Sequence, residues 1–455
     1  MRKLWIAGAG LVLLAAAAAA WYYATADPGW TTASPEALAA YQRGRQAQMK
    51  FYFADARAAF QEARTADPDF VVAKIALLDT DGGKEERAAL IEDLRRADPA
   101  RLNERERLML DVVLARVDQD EARRAQRIAA YLSEHPRDPW ALMIASNDAW
   151  ARQDFPEAER LYGRLLEVDP NWLIARNHLG YIAMAQGRFA EAEEHFRLYK
   201  YVAPDQANPH DSLGELLILL GRYDEARAEL EEAVRVRPDF CASYRNLMSV
   251  AIFARRPDDL EPIVERVVAH CPEPMHQPVA CAALQARAFL TGDYEAPWRD
   301  AAGPCAGRLT DPEPVTHLLA MLAGRRADAL AIEGKARERL AEAEAKQPRA
   351  VAQLRALGAF LAGQRLFFEG NYAESVATLR EAERRMPWWG GDGGGALRLV
   401  ALLTLARAEE LAGDRAASEK TLAELRAVNP DFAGWYGHFP PPAAAPRPTA
   451  PVRGS

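Results

Sequence analysis

The chain has 455 residues, enough for two to four domains or one elongated array. At 49% hydrophobic and 27% charged, with Gly 28 and Pro 29, it is globular in composition, neither collagen-like nor wholly disordered. Lys+Arg 57 against Asp+Glu 65 leaves a net charge of −8, which excludes a global basic field, so no nucleic-acid partner is expected.

Arg2 and Lys3 precede an uncharged run from Leu4 to Tyr23, closed by Trp21, Tyr22 and Tyr23. Two positive charges before an apolar run and an acid, Asp27, after it predict an export signal over 1–26 with the remainder translocated. A run of about 20 residues can span a bilayer, so the expectation is an uncleaved anchor. The chain would then be a single-pass protein of a bacterial inner membrane, with its folded part in the periplasm. The alternative is cleavage after Ala26, where Ala24-Thr25-Ala26 fits a small-x-small site, giving a secreted or periplasmic form.

Pro136, Pro170, Pro204, Pro238 and Pro272 follow one another at equal intervals of about 34 residues. Within the period, Leu179-Gly180 recurs as Leu213-Gly214, the turn Gly187-Arg188-Phe189 as Gly221-Arg222-Tyr223, and Ala192 with Phe196 as Ala226 with Leu230. Small residues let two antiparallel helices approach, large ones fill the gap between them, and proline closes the second helix. Each period therefore predicts a helix–turn–helix. The phase extends upstream through Gly44, Ala56, Phe60, Ala63 and Pro68. Downstream it returns at Gly363, Gly370-Asn371-Tyr372, Leu379 and Ala382, and closes through Gly413-Asp414-Arg415 to Pro430. No stretch alternates with a period of two, so no sheet is expected.

These positions resemble the tetratricopeptide repeat family, most specifically over 139–238. The resemblance implies an all-α, TPR-like α-solenoid, a right-handed superhelix of antiparallel helix pairs behind the N-terminal transmembrane or signal helix. The expected organisation is a repeat array over 34–272, divergent TPR-like pairs over 273–355, C-terminal pairs over 356–435, and a disordered Pro/Ala-rich tail over 436–455. Gly390 to Gly395 reads as a linker. Thr31-Thr32-Ala33-Ser34-Pro35-Glu36-Ala37-Leu38, Leu102-Asn103-Glu104-Arg105-Glu106-Arg107 and Asn208-Pro209-His210-Asp211-Ser212-Leu213-Gly214-Glu215 further resemble the exported repeat modules of bacterial receptor-type serine/threonine kinases. The kinase domain of such proteins has no counterpart, so any signalling role would act through another protein.

No catalytic constellation is legible. Val72-Ala73-Lys74 echoes a kinase strand lysine without the glycine-rich or catalytic loops, and reads as a helix surface. The dense cluster His270, Cys271, His276, Cys281 lacks paired metal-ligand spacing, so neither a metal nor a cofactor is expected. In an exported chain its cysteines point to disulfides instead. Cys241 starts the first helix of its repeat and Cys271 ends the second, which predicts the pair Cys241–Cys271. By the same logic Cys281 opens a helix and Cys305 closes its partner beyond Gly292-Asp293-Tyr294, which predicts Cys281–Cys305.

Stacked helix pairs line a concave groove with the first helix of each repeat, suited to an extended peptide or a helix. In phase, that face should present Trp140, Met143, Asn147 and Trp150, then Asn177, Tyr181 and Met184. Asn208, Asp211 and Glu215 follow, then Arg245 and Ser249. The same Trp and Met positions also suit packing between repeats. The expected function is a non-catalytic scaffold that binds a protein or peptide of the envelope and has no small-molecule substrate. The alternatives are a periplasmic chaperone or assembly factor, and an enzyme with a degenerate catalytic region in 273–435.

Overall fold

Helices end at Glu134, Val168, Val202, Val236 and His270, each two residues before one of the five in-phase prolines. Proline pushes the residue before it out of the helical region, so each second helix stops at a fixed distance. The computed structural model describes residues 29–80, 82–300, 302–346, 350–388 and 394–439. The run Leu4 to Tyr23, residues 389–393 and the tail from Pro440 lie outside them. Among the described residues there is no strand. Nor is any helix among them long and apolar enough to cross a membrane.

The described residues fall into two compact units, Met1–Ser146 with Glu167–Asp169, and Asn147–Leu166 with Pro170–Ser455. The division falls inside a repeat helix, at none of the boundaries drawn from sequence. In the first unit, helices pair as α1 (Pro35–Met49) with α2 (Phe53–Ala66), α3 (Val71–Leu78) with α4 (Lys84–Arg95), and α5 (Glu104–Val117) with α6 (Glu121–Glu134). Then comes α7 (Pro139–Ala151), where the division falls. Every residue of α3 except Lys74 is buried, and Lys74 lies 3.8 Å from Asp93. Before α1, the strap 29–34 is tied to α5. Asn103 donates to the Gly29 carbonyl at 3.0 Å, and buried Glu106 accepts from the Thr31 amide at 2.8 Å and hydroxyl at 2.6 Å. Two of the sequence motifs quoted above thus meet in space.

The second unit continues with α8 (Phe155–Val168), α9 (Leu173–Ala185), α10 (Phe189–Val202), α11 (Ala207–Leu219), α12 (Tyr223–Val236), α13 (Cys241–Phe253) and α14 (Leu260–His270). Close approach within each pair follows one rule. A Cβ placed on Gly180 would lie 2.5 Å from the Phe196 ring, and one on Gly214 would lie 2.7 Å from Leu230. The same offset in sequence joins Gly44 to Phe60 and Gly363 to Leu379.

Beyond Pro272 come α15 (His276–Thr291), α16 (Ala296–Arg299), α17 (Pro314–Leu322), α18 (Arg326–Lys346), α19 (Val351–Phe368), α20 (Tyr372–Arg385), α21 (Gly394–Leu411), α22 (Arg415–Val428) and α23 (Pro430–Ala433). Gly394 and Gly395 of the expected linker belong to the start of α21. Cys241 is bonded to Cys271 with Cα atoms 5.9 Å apart, and Cys281 to Cys305 at 4.7 Å. The first bridge joins the start of α13 to the residue after α14. The second has a different setting from the hairpin expected, because only the four-residue α16 follows the Gly292 turn and Cys305 lies in irregular chain. The C-terminal boundary also moves. The packed chain runs into the expected tail, where Tyr436 donates to Glu410 at 2.6 Å and Phe439 is buried beside Phe367 at 5.8 Å.

Candidate partner-binding face

The helices α9, α11 and α13 are the first helices of their repeats and should line the inner face. On α11, every residue from Ala207 to Leu219 is buried except Glu215. A helix buried on all sides has neighbours on all sides. Leu216, Leu217 and Leu219 of α11 belong to one continuous core with Leu399, Leu402 and Leu403 of α21, itself buried without interruption from Ala401 to Ala406. The C-terminal part of the second unit therefore packs back on the repeats that carry the period.

That return is specific at the helix turns. The Trp388 amide donates to the Ala185 carbonyl at 3.3 Å, and its ring lies edge-on to Phe189 with centroids 5.6 Å apart. One repeat on, Asn429 donates to the carbonyls of Ile218 and Leu219 at 3.3 and 3.1 Å. One repeat further, Phe253 meets Phe432 edge-on at 5.2 Å. The chain thus marks successive turns with Trp388, Asn429 and Phe432, none of which the sequence singles out. The only legible signal is the aromatic density of 432–439 after the last repeat.

This packing corrects part of the expected groove. Asn177, Met184, Asn208 and Asp211 are 3%, 2%, 6% and 5% exposed, so no ligand reaches them without rearrangement. Met184 lies in the core shared with the returning helices. Asp211 instead accepts from Ser243 at 2.7 Å and Asn246 at 3.1 Å on α13. Burial raises its carboxyl above the usual range, against the lowering effect of these two hydrogen bonds. Trp140 and Met143 belong to the first unit and are half-buried there. Arg45 lies over the Trp140 ring at 4.5 Å and reaches Met143 sulfur at 3.7 Å, while Trp30 packs edge-on against Trp140 at 5.2 Å.

The remaining positions keep part of their surface. Asn147, Tyr181, Glu215 and Ser249 share one position in successive repeats; Asn147 is exposed and the other three are half-buried. Asn147 accepts from Tyr162 at 2.7 Å, and Tyr181 donates to Glu215 at 2.9 Å with its hydroxyl oxygen 3.1 Å from that of Ser212. Burial first, then the Glu215 and Asp211 carboxylates, hold the Tyr181 hydroxyl well above the ordinary phenol range. Trp150 is half-buried with its ring edge-on to His178 at 5.0 Å, and burial lowers the His178 imidazole. Arg245 is exposed. Of the expected groove, a narrow strip across α7, α9, α11 and α13 is therefore what reaches solvent in the second unit.

The described residues include no group of three His, Cys, Asp or Glu side chains placed to hold a metal ion. His270, Cys271, His276 and Cys281 do not converge as ligands: both cysteines are in disulfides, and His276 donates to the Cys271 carbonyl at 2.8 Å.

Comparison with known proteins agrees with the period. The tetratricopeptide repeat family matches residues 145–211 and again 209–240. No curated protein matches the chain. Among solved structures, the chain is similar to one from the crystal structure of the APC/C hetero-tetramer Cut9-Hcn1. Identity is 13% and the TM-score 0.45, over 88% of this chain and 75% of that one. The regular proline period, the paired helices and the family match together identify residues 145–240 as tetratricopeptide repeats, in a chain whose described residues form a TPR-like helical array.

Proposed function

We propose that the chain is a non-catalytic scaffold, anchored in a bacterial inner membrane by Leu4 to Tyr23, that holds another envelope protein on its periplasmic side. Tetratricopeptide repeats generally bind protein or peptide partners. The observation that carries the reading here is the strip Asn147, Tyr181, Glu215 and Ser249, which recurs once per repeat and keeps surface while Asn177, Met184, Asn208 and Asp211 of the same face are buried. An extended segment laid across successive repeats meets polar groups at regular intervals along such a strip. Two disulfides suit an oxidising compartment and support an exported location.

The test is a crosslinked co-purification from native membranes. One partner recovered in fixed ratio, and lost when Asn147 and Ser249 are both changed to Arg with helical content unchanged, supports the scaffold. Recovery of many unrelated unfolded proteins supports the chaperone alternative, and retention of the partner by the double variant contradicts the strip. Active alkaline phosphatase fused after Ser455, in membranes that resist alkaline washing, is the expected outcome for the anchor. A soluble form starting at Asp27 contradicts it.

A further inference from the structure

Where the turn between α11 and α12 and the turn after α13 meet α23, they enclose a cleft of about 610 Å³. That volume is in the range of sites that hold a ligand rather than a few waters. Six charged side chains line it, three of each sign: Arg222, Arg255, Arg256, Asp224, Glu225 and Asp431. Two of the cations are neutralised locally. Arg222 pairs with Glu225 at 2.7 Å and with Glu193 at 2.8 Å, and Arg256 pairs with Asp224 at 2.7 Å. Among the described residues, Arg255 and Asp431 form no ion pair, although both are exposed and both act electrostatically on the Tyr223 hydroxyl, which also lines the cleft.

Arg255 keeps the left-handed turn of the repeat with φ 57°, at the position where Gly187 and Gly221 have φ 76° and Gln119 and Gln153 have φ 58° and 59°. Its guanidinium is held from one side by the Trp435 ring, 4.7 Å from the centroid. Stacking on an aromatic face positions the cation while leaving its hydrogen-bond donors available for a planar carboxylate. One unpaired charge of each sign suits a ligand that carries both, whereas a polyanion would meet Asp431, Asp224 and Glu225.

We propose that this cleft is a peptide-binding site, taking an extended segment whose acidic side chain pairs with Arg255 and whose neighbouring basic side chain pairs with Asp431. The site is on the turn edge, separate from the inner strip, and is read on the purified full chain without a partner, so the two readings fail independently.

The probe is a fluorescein-labelled, C-terminally amidated Gly-Glu-Gly-Lys-Gly peptide, compared by anisotropy with versions carrying Gln for Glu or Gln for Lys. The expected result is at least tenfold weaker binding for either substituted peptide. Arg255→Gly should abolish the preference for Glu while leaving the circular dichroism and melting temperature intact or improved, because glycine suits φ 57°. Arg255→Gln, which keeps the backbone burden and removes only the charge, should do the same to binding. Asp431→Asn should abolish the preference for Lys. Failure of the wild-type chain to bind, equal binding of the three peptides, or a preference for Glu that survives both Arg255 variants overturns the proposal.

Discussion

Tyr223 donates a hydrogen bond at 3.1 Å to Asn429, a residue 206 positions further along the chain. The same Asn429 oxygen accepts from the Phe432 amide at 2.8 Å, and the amide nitrogen serves the last carbonyls of α11. Asn429 is fully buried, so each lost bond leaves a group without water. Asn429→Ala should therefore cost about 2–3 kcal/mol in urea unfolding. Gly221→Ala adds a Cβ 2.5 Å from the Asn429 oxygen at φ 76°, whereas Gly292→Ala has φ 77° and meets nothing within 4 Å. The second change should cost about 1 kcal/mol and the first clearly more. Equal costs would show that the return contact at Gly221 is absent.

The pairing rule within repeats is open to a compensation test. Gly180→Ala forces a methyl into the Phe196 ring at 2.5 Å and should cost about 1–3 kcal/mol. Phe196→Leu in the same chain should recover part of that loss, because the smaller side chain takes up less of the gap that the new methyl enters. Additive losses in the double-mutant cycle would mean that the two residues do not share one gap.

The two disulfides should differ in reducibility. Cys241 is half-exposed, while Cys281 and Cys305 are 3% and 1% exposed. Under native conditions a mild reductant followed by alkylation should label Cys241 and Cys271 first and leave the other pair intact. Closing loops with separations of 30 and 24 residues should contribute about 3–4 kcal/mol each, read as the fall in unfolding midpoint when each pair is replaced by Ala. Four free thiols in non-reducing peptide mapping would contradict both bridges.

Asp211 supplies a pH-dependent test. Its carboxyl is raised by burial above 3.8, so the folded state disfavours the charge, and this carboxyl lowers stability at neutral pH. Asp211→Asn keeps an oxygen to accept from Ser243 and Asn246, and Asn177 already occupies the matching position one repeat earlier. The variant should melt higher than wild type at pH 7. As pH falls through the raised carboxyl value toward 3.8, wild type is protonated in the fold and the difference should close. A variant less stable at pH 7 would mean that the charge is compensated.

The range of each interaction decides what the sequence reveals. The evenly spaced prolines and the small-to-large pairs, Gly180 with Phe196 and Gly214 with Leu230, are local, so the helix pairs were readable from sequence. The repeat phase puts the inner-face residues on the first helices, but it does not separate those that keep surface, such as Asn147 and Arg245, from the buried Asn177, Met184, Asn208 and Asp211. Depth at Met184 and Asn177 is set by what packs on them, and at Met184 that includes a core shared with Leu399 and Leu402 of the distant α21. Neither periodicity nor composition reports such a contact. Gln119, Gln153 and Arg255 occupy left-handed turn positions that sequence alone would assign to glycine. The turn motif therefore faded in those repeats although the backbone geometry persisted.

Partner binding on this account uses the narrow strip while the returning helices stay in place. Hydrogen exchange of the full chain with and without its co-purified partner measures this directly. The expected result is new protection in peptides covering 145–150, 178–182, 212–216 and 245–250, with 394–439 unchanged. Loss of protection across 394–439, with new protection on 183–185 and 216–219, would show that the partner displaces the C-terminal helices and would contradict it.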